Sequence, residues 1–512
     1  MRTSLKSRKY WFGRCFLSLV VSAGLASISL AQQFDAPYYD LEQRNRAKWA
    51  DEDRDVQAKL VALEKKHRKK PNIIYLLPDD IGWGETGAYG GGEVRGAPTP
   101  NLDQMAREGI QFTSFYSEPS CTPTRVALFT GRHPVRTGLI QVLFPGAEAG
   151  LAEEEVTLAE LMKKAGYNTA MFGKWHLGEH EEYHPTNHGF DEAYYVVYNE
   201  SPAMYNKDGE KDHLVFDYTT APDHWKTGPY KLQGVYEARA GQKPVEVKPF
   251  NQKTSQFLSQ EYTQRTIDYI KKHAKDDKPF FLWGQQKGIF FGPPHPDFQG
   301  KSLQGNNVGD QMMEHDYRVG QILQAVKDAG IAENTLVIWS SDNGPMFSFF
   351  GEEGYAHFRG GKGQVLEGGV RVPAVAWWPG VIEPRKDNQM VHTADMYTTL
   401  ATIAGVRDKI PEDRVVDGVD QTALLLNNGS TRRNYMFHYD AAKLGAVRLD
   451  HFKRHLGFVG SLPGKDFYNV YRDPQELRGT MAQYLWTWVP FDDLIEKHNK
   501  LIEKFPHRVV EY

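Results

Sequence analysis

The sequence has little cysteine, with only Cys15 and Cys121 among its 512 residues. Cys15 lies in an N-terminal segment that we expect to be removed, so the mature chain would keep a single thiol. One cysteine cannot form a disulfide within its own chain, which excludes a fold held together by disulfides. Cys121 is therefore inert, bonded to another molecule, or chemically special.

Long hydrophobic runs are also missing, except at the start of the chain. Basic residues precede an apolar run from Phe16 to Leu30, and Ser29-Leu30-Ala31 then places small residues at a signal-peptidase cleavage site. Residues 1–31 therefore predict a signal peptide and a secreted or periplasmic protein. The run is short for a membrane anchor, and no second hydrophobic span follows it.

The sequence lacks an excess of positive charge. Its 61 Lys and Arg residues against 65 Asp and Glu residues give a net charge of -4, which argues against nucleic acid as a partner. Hydrophobic residues at 40% and charged residues at 25% are typical of a globular protein.

The pattern of apolar segments predicts the fold class. From Pro71 onwards, short apolar strands alternate with amphipathic helices, which is typical of an α/β fold with a large, mostly parallel sheet between helices. Near residue 432 the pattern changes to short strands and one helix, which predicts a small antiparallel sheet plus helix. The expected organisation is a signal peptide (1–31), a charged helical extension (32–70), a main domain (71–431) and a C-terminal α+β subdomain (432–512).

Charged and polar side chains follow three of the predicted strands. Ligands of open α/β sheets bind outside the carboxyl ends of the strands, so we expect these side chains to share one edge of the sheet. Each stretch alone could be an ordinary polar loop, but their joint occurrence favours a functional site. They are Asp79 and Asp80 after strand 72–77, Lys174 and His176 after strand 167–172, and Asp342 and Asn343 after strand 335–339.

Four of these residues predict a metal site. Asp79, Asp80, Asp342 and Asn343 offer only hard oxygen donors, which suit Ca²⁺ or Mg²⁺ better than zinc. Two adjacent aspartates also repel each other unless a cation or a proton lies between them. The alternatives are a capping loop at the aspartate pair and a tight turn at Asn343-Gly344.

The surroundings of Cys121 predict a helix that begins at this residue. Pro123 suits a first helical turn, residues 126–129 continue as an apolar patch, and Gly131 is a plausible helix stop. Cys121 would then lie at a helix N-terminus, which attracts anions, with the Arg125 cation one turn further on. The alternative is a buried, unreactive cysteine.

The stretch Cys121-x-Pro-x-Arg125, followed by Thr130-Gly131-Arg132, resembles the signature of the type I sulfatases of the alkaline phosphatase superfamily. The stretch from Glu367 to Pro373 resembles a second sulfatase signature. The resemblance implies an alkaline-phosphatase-like fold, a catalytic domain over 71–431, and hydrolysis of sulfate monoesters of a sulfated carbohydrate or aryl alcohol. It also implies bound Ca²⁺ and oxidation of Cys121 to formylglycine by a formylglycine-generating or sulfatase-maturing enzyme.

The same resemblance implies a role for each residue of the site. A hydroxyl of the hydrated aldehyde at position 121 would attack sulfur while His295 protonates the departing alcohol. His176 would then deprotonate the second hydroxyl, so that sulfate leaves and the aldehyde returns. The supporting cations would be Arg125, which orients the diol, and Lys174 and Lys362, which hold the sulfate.

One departure from the family bears on the substrate. Family members often carry a second histidine near the one matched by His295, and here Phe290 stands near that place. His295 could also be an ordinary loop histidine in a proline-rich turn. Specificity is expected from loops at 201–250 and 345–358, the latter containing Phe347, Phe349 and Phe350.

Two other functions stay open at this point. The first is a phosphatase or phosphodiesterase of the same superfamily, although such relatives generally need a second metal and further Asp or His ligands. The second is a non-catalytic secreted protein that retains the fold, leaves Cys121 unmodified and binds sulfated ligands.

Overall fold

The computed structural model describes residues 34–199, 234–284, 287–289, 292–346, 354–457, 467–479 and 485–512. The predicted signal peptide (1–31) lies outside these residues, as do most of the predicted loop 201–250 and Phe290, Phe347, Phe349 and Phe350. Among the described helices, none combines the length and the apolar character that crossing a membrane requires.

The helices are, in chain order, α1 (Ala36–His67), α2 (Pro100–Glu108), α3 (Cys121–Thr130), α4 (Pro134–Thr137), α5 (Leu158–Lys164), α6 (Gln252–His273), α7 (Asn307–Asp328), α8 (Glu367–Val370), α9 (Asp395–Ile403), α10 (Thr422–Asn427) and α11 (Trp488–Lys504). The strands are β1 (Asn72–Leu76), β2 (Ile110–Tyr116), β3 (Asn168–Lys174), β4 (Glu192–Val196), β5 (Gly234–Arg239), β6 (Val245–Pro249), β7 (Phe280–Gly284), β8 (Thr335–Ser340), β9 (Arg371–Trp377), β10 (Arg385–Asp387), β11 (Val391–His392), β12 (Tyr435–Asp440), β13 (Lys443–Leu449), β14 (Phe452–His455) and β15 (Phe467–Asn469).

One large sheet runs in the order β10-β2-β9-β8-β1-β7-β3-β4-β5-β6, with β11 also paired to β2. Its centre, from β8 to β4, is parallel, which confirms the predicted α/β class. Strand β9 lies antiparallel between β2 and β8, at a place where the sequence indicated only a motif. The described part of the predicted loop 201–250 is largely β5 and β6, an antiparallel pair that extends the sheet.

Alternating side chains of the central strands build a core on each face of the sheet. Ile73 and Tyr75 of β1 point to one core and Ile74 and Leu76 to the other, because successive residues of a strand face opposite sides. The first core is closed by α3, α5, α9 and α10, and the second by α2, α6 and α7. Both faces of the sheet are therefore covered, and the edge at the strand ends is left to bind ligands.

Local signals set the ends of several helices as the sequence predicts. Thr157 and Glu160 form a capping box at the start of α5, in which each side chain accepts a hydrogen bond from the backbone N–H of the other residue. Helix α3 ends at Gly131, whose φ of 69° suits glycine. The first of these helices to occur in the chain, α3, carries Cys121 as its first residue.

The C-terminal part forms the predicted small antiparallel sheet, in the order β12-β13-β14-β15, together with α11. Phe437 and Phe467 of this sheet share one apolar cluster with Phe491 of α11 and with Tyr38 and Trp49 of α1. The charged N-terminal segment is thus helical, as predicted, and packs beside the C-terminal elements. The boundaries at 71 and 432 remain predictions.

His315 is a buried histidine that the fold holds neutral. Its Nε2 accepts a hydrogen bond from Trp339 Nε1 at 2.9 Å, and burial lowers the pKa of His315 to about 3. The unfolded chain therefore takes up this proton first, near pH 6.5. The contribution of the neutral, buried His315 to the free energy of unfolding is complete above that pH and is lost as the pH falls toward 3.

We expect His315→Gln to make folding less sensitive to acid, since an amide oxygen can accept the same bond and cannot be protonated. The free energy of unfolding in urea should fall by about 2 kcal/mol less in the variant than in the wild type between pH 7.5 and pH 5. His180→Gln, at a histidine with 38% side-chain exposure, is the control and should behave as wild type. Equal pH dependence in His315→Gln and wild type would contradict this account.

Candidate active site

Three strand ends deliver chemically active side chains to the same edge of the sheet. Asp79 and Asp80 follow β1, Lys174 is the last residue of β3, and Asp342 follows β8. These strands are parallel and lie within the run β8-β1-β7-β3, so their carboxyl ends face one side. The edge predicted from the sequence is therefore present in the fold.

Helix α3 begins at Cys121 and places Arg125 under the strand ends. Both side chains have no exposed surface. Arg125 Nη2 donates a hydrogen bond to Asp79 Oδ1 at 2.6 Å and lies 3.6 Å from Asp342 Oδ2, while Nη1 donates to the carbonyl of Lys174 at 2.8 Å. One guanidinium thus joins the ends of β1, β3 and β8.

The thiol of Cys121 lies between a lysine and a carboxylate. Lys362 Nζ is 3.1 Å from the sulfur and also donates to both carboxylate oxygens of Asp80, at 2.7 and 2.9 Å. The thiol itself donates to Asp80 Oδ1 at 3.9 Å. Burial and the charge of Asp342 raise the pKa of Cys121 to about 12.

The four predicted metal ligands form one buried group of oxygens. Asp80 N donates to Asp342 Oδ1 at 3.0 Å, and Asn343 Nδ2 donates to Asp80 Oδ1 at 2.7 Å. Within the described part of the chain, Asp342 Oδ2 and Asn343 Oδ1 are buried and accept no hydrogen bond. Ligand atoms of Asp79, Cys121 and Asp342 all lie within 4.8 Å of one another.

The pKa values of Asp342 and Asp79 in this group are shifted in opposite directions. Burial and the charge of Asp79 raise the pKa of Asp342 to about 7. Burial also acts to raise the pKa of Asp79, but Lys174 and Arg125 outweigh it and hold that pKa well below its usual range. Lys174 Nζ forms an ion pair with Asp79. The carboxylates therefore repel one another and depend on nearby cations.

His176 has one ring nitrogen with a partner and one without. Its Nε2 donates to the carbonyl of Leu143 at 2.9 Å, and its Nδ1 has no hydrogen-bond partner among the described residues. Burial and Lys174 hold the pKa of His176 well below its ordinary value, so the ring is neutral and Nδ1 is available as a hydrogen-bond acceptor.

Two residues of the site have a left-handed backbone. Asp80 and His176 both have φ of 61°, which costs a residue other than glycine about 1–3 kcal/mol. Such strain persists only where the surroundings impose it. No pattern in the sequence indicated it.

The structure does not link His295 to the other predicted residues. His295 N donates to Glu314 Oε2 at 2.9 Å, its Nδ1 accepts from Asp297 N at 3.2 Å, and its ring lies 5.3 Å from that of Phe257. No described contact of His295 involves the other nine predicted site residues. It is a buried side chain beside α6 and α7 whose catalytic role remains a prediction.

Sequence reasoning missed the close backbone packing that holds the Lys362 loop. A Cβ on Gly344 would lie 1.8 Å from the carbonyl oxygen of Gly368, so the loop after β8 and α8 can touch only through glycine. Lys362 N donates to Pro345 O at 2.9 Å, and Gly368 N donates to Arg359 O at 2.8 Å. The adjacent glycines Gly368 and Gly369, in the stretch that resembles the second sulfatase signature, could have indicated this close backbone contact.

The sulfatase family model matches residues 71–406. The chain belongs to the sulfatase family. It is 37% identical over 402 residues to N-acetylgalactosamine-6-sulfatase of Canis lupus familiaris, covering 75% of this chain and 71% of that protein. It is 36% identical over 408 residues to arylsulfatase A of Homo sapiens, covering 77% and 76%.

A solved structure agrees with the family. The crystal structure of PsFucS1 sulfatase from Pseudoalteromonas sp. superposes with a TM-score of 0.80 at 33% identity, covering 90% of this chain and 95% of that one. The protein described by the present sequence is therefore a sulfatase that hydrolyses sulfate esters and has the alkaline-phosphatase-like fold. The family evidence favours the sulfatase hypothesis over the phosphatase and the non-catalytic alternatives.

We expect Gly368→Ala to displace the Lys362 loop and lower activity. The new Cβ would lie 2.1 Å from Gly360 O and 2.5 Å from Arg359 O, so the loop must move. Such a displacement should cost about 10²-fold in kcat on an aryl sulfate. Gly457→Ala, where a Cβ would meet nothing within 4 Å, is the control. An unchanged kcat for Gly368→Ala would show that the close approach is not needed.

Proposed function

We propose that this sulfatase is a calcium-dependent enzyme that uses formylglycine at position 121 and acts on a sulfated carbohydrate. The observation that carries the proposal is the position of Cys121. Its side chain meets oxygen donors from two strand ends and the Lys362 cation in one buried pocket, as a reaction centre for an anionic ester requires.

The oxygen donors fit calcium. Ca²⁺ takes about 6–8 oxygen ligands, and two buried oxygens, Asp342 Oδ2 and Asn343 Oδ1, accept no hydrogen bond among the described residues. Asp79, Asp80, Asp342 and Asn343 would hold the ion. Bound calcium would act as a Lewis acid toward the sulfate ester.

Charge balance supports an anionic substrate. The pocket contains three carboxylates and three lysine or arginine cations, so that their charges cancel. A divalent ion would therefore leave an excess of two positive charges, of which a sulfate monoester, a monoanion, would offset one. The groups counted are Asp79, Asp80, Asp342, Arg125, Lys174 and Lys362.

The side chains divide the work in the proposed mechanism. Formylglycine would supply a hydrated aldehyde as the nucleophile. His176, neutral and with Nδ1 available, accepts a proton, and His295 protonates the leaving alcohol. Lys174 and Lys362 hold the sulfate oxygens, each charge-assisted bond contributing about 1.5–3 kcal/mol.

Arg125 has a positioning role in this proposal. Because it is bonded to Asp79 and to the backbone of Lys174, it fixes two strand ends relative to the start of α3. The residue at position 121 is thereby oriented toward the metal site.

Maturation and location complete the proposal. A formylglycine-generating or sulfatase-maturing enzyme is the partner that would convert Cys121, and the signal-like segment at 1–31 supports export to the periplasm or beyond. The match of the family to residues 71–406 supports a catalytic domain over 71–431.

Relatives support a carbohydrate substrate. The mammalian relatives include N-acetylgalactosamine-6-sulfatase, whose name specifies a sulfated amino sugar. A sulfate monoester of a sugar hydroxyl is therefore the substrate class that we propose, with aryl sulfates as convenient assay substrates.

We expect mass analysis of the peptide that spans residue 121 to show an aldehyde in place of the thiol in active enzyme. Cys121→Ala should abolish hydrolysis of an aryl sulfate because no nucleophile can form, while folding stays intact. An aryl phosphate should be a much poorer substrate than the matching sulfate. Full activity with an unmodified Cys121 peptide would refute the formylglycine assignment.

We expect calcium to restore activity lost after treatment with a chelator. Calcium should also stabilise the chelated wild type, by about 2.7 kcal/mol at a concentration one hundred times its Kd, because it binds only the folded protein. Asn343→Ala, which removes one oxygen ligand, should weaken this effect. Gln324→Ala, on α7, is the matched amide control. Calcium-independent activity after complete metal removal would disprove the metal assignment.

A further inference from the structure

A cavity of about 310 Å³ lies between α1 and the C-terminal sheet. Trp49 of α1, residues 388–390, residues 431–434, the β13–β14 turn and Tyr471 line it. None of the predicted catalytic or metal-binding residues takes part. The cavity is large enough for a ligand about the size of one or two sugar rings.

One exposed aromatic ring lines this cavity, and a chain of ring contacts leads from it to a second. Tyr471 is 53% exposed, its ring lies 5.7 Å from that of His451 with the planes tilted by 31°, and the His451 ring lies 4.1 Å from that of Phe452. The Phe452 ring in turn contacts Trp486, which is 67% exposed. The faces of such exposed rings suit the C–H surface of a sugar ring.

A buried arginine lines one wall of the cavity. Arg432 is 3% exposed, lies 5.3 Å from the Trp49 ring and forms an ion pair with Asp53. Its Nε has no hydrogen-bond partner in the described ranges of the chain. Because this Nε is itself buried and the guanidinium is paired with Asp53, Arg432 shapes the wall of the cavity, and recognition of an anionic oxygen falls to an arginine at the rim.

Hydroxyl-binding groups complete the surface. Asn388 and Asn434 line the cavity with amide side chains, and the exposed Arg472 follows Tyr471 at the rim. In the described part of the chain, Arg472 forms no ion pair. Rings for stacking, amides for hydroxyl groups and an exposed arginine for an anion together match a sulfated saccharide better than an apolar ligand or a nucleic acid.

We propose that this cavity and its aromatic rim bind a second segment of a sulfated glycan, away from the reaction centre, and hold the polymer near the enzyme. The inference rests on the proposed function, because it assumes that the substrate is a sulfated carbohydrate. The occupant is a saccharide chain that carries sulfate groups, and its rings stack on Tyr471 and Trp486.

The test compares a polymer with a small substrate. The probe is a polysaccharide that carries N-acetylgalactosamine 6-sulfate, with its desulfated form as the ligand control, and binding is measured by calorimetry on the full-length Cys121→Ala protein. Tyr471→Ala and Trp486→Ala, each added to that background, should weaken binding about ten-fold. Tyr317→Ala, at a tyrosine of α7 with 47% exposure, should not.

Activity separates this inference from the proposed function. In the active enzyme, Tyr471→Ala should lower kcat/KM about ten-fold on the polymer and leave kcat/KM on an aryl sulfate unchanged. Equal polymer affinity for wild type and both rim variants would overturn the second site while the sulfatase mechanism stands. Equal losses on polymer and aryl sulfate would also overturn it. If wild type hydrolyses no sulfate ester, the proposed function itself fails.

Discussion

The site depends on the neutralisation of three carboxylates buried beside one thiol. An ionised carboxylate without a partner is costly in a protein interior, and Asp79, Asp80 and Asp342 are each at most 3% exposed. Their counter-charges come from α3, from the end of β3 and from the loop before α8. Five separate parts of the chain must therefore meet within a few ångströms, and the strained backbone at Asp80 and His176 is the local cost of that convergence.

The C-terminal sheet contributes to this arrangement through a buried ion cluster. Lys453 of β14 lies 3.1 Å from Glu367 of α8 and 3.2 Å from Glu476, and all three side chains are fully buried. Glu367 also accepts a hydrogen bond from Tyr116 at 2.7 Å. Removing one member of a buried ion cluster leaves an unpaired charge, so the small sheet fixes α8 and, through its glycines, the Lys362 loop. The C-terminal sheet therefore helps to hold the pocket in place.

Much of this could be predicted from the sequence, because it depends on local patterns. Apolar runs end just before Asp79 and Asp342, so the strand ends and their ligands could be placed, and Pro123 and Gly131 mark the start and end of α3. The missed features depend on distant parts of the chain. Strand β9 is antiparallel between two strands far away in sequence, and the ion pair of Lys174 with Asp79 joins the ends of two different strands. Neither contact can be predicted from the sequence of one segment alone.

The burial of α3 has a consequence for how the enzyme becomes active. Every residue from Cys121 to Thr130 is buried, so no other enzyme can reach this segment once the chain has folded. Any chemical conversion of the thiol must take place on the nascent or still extended polypeptide. If Cys121 is converted as proposed, the share of competent molecules in a preparation would be set by the relative rates of modification and folding, and a faster-folding variant could be more stable and yet contain less working enzyme.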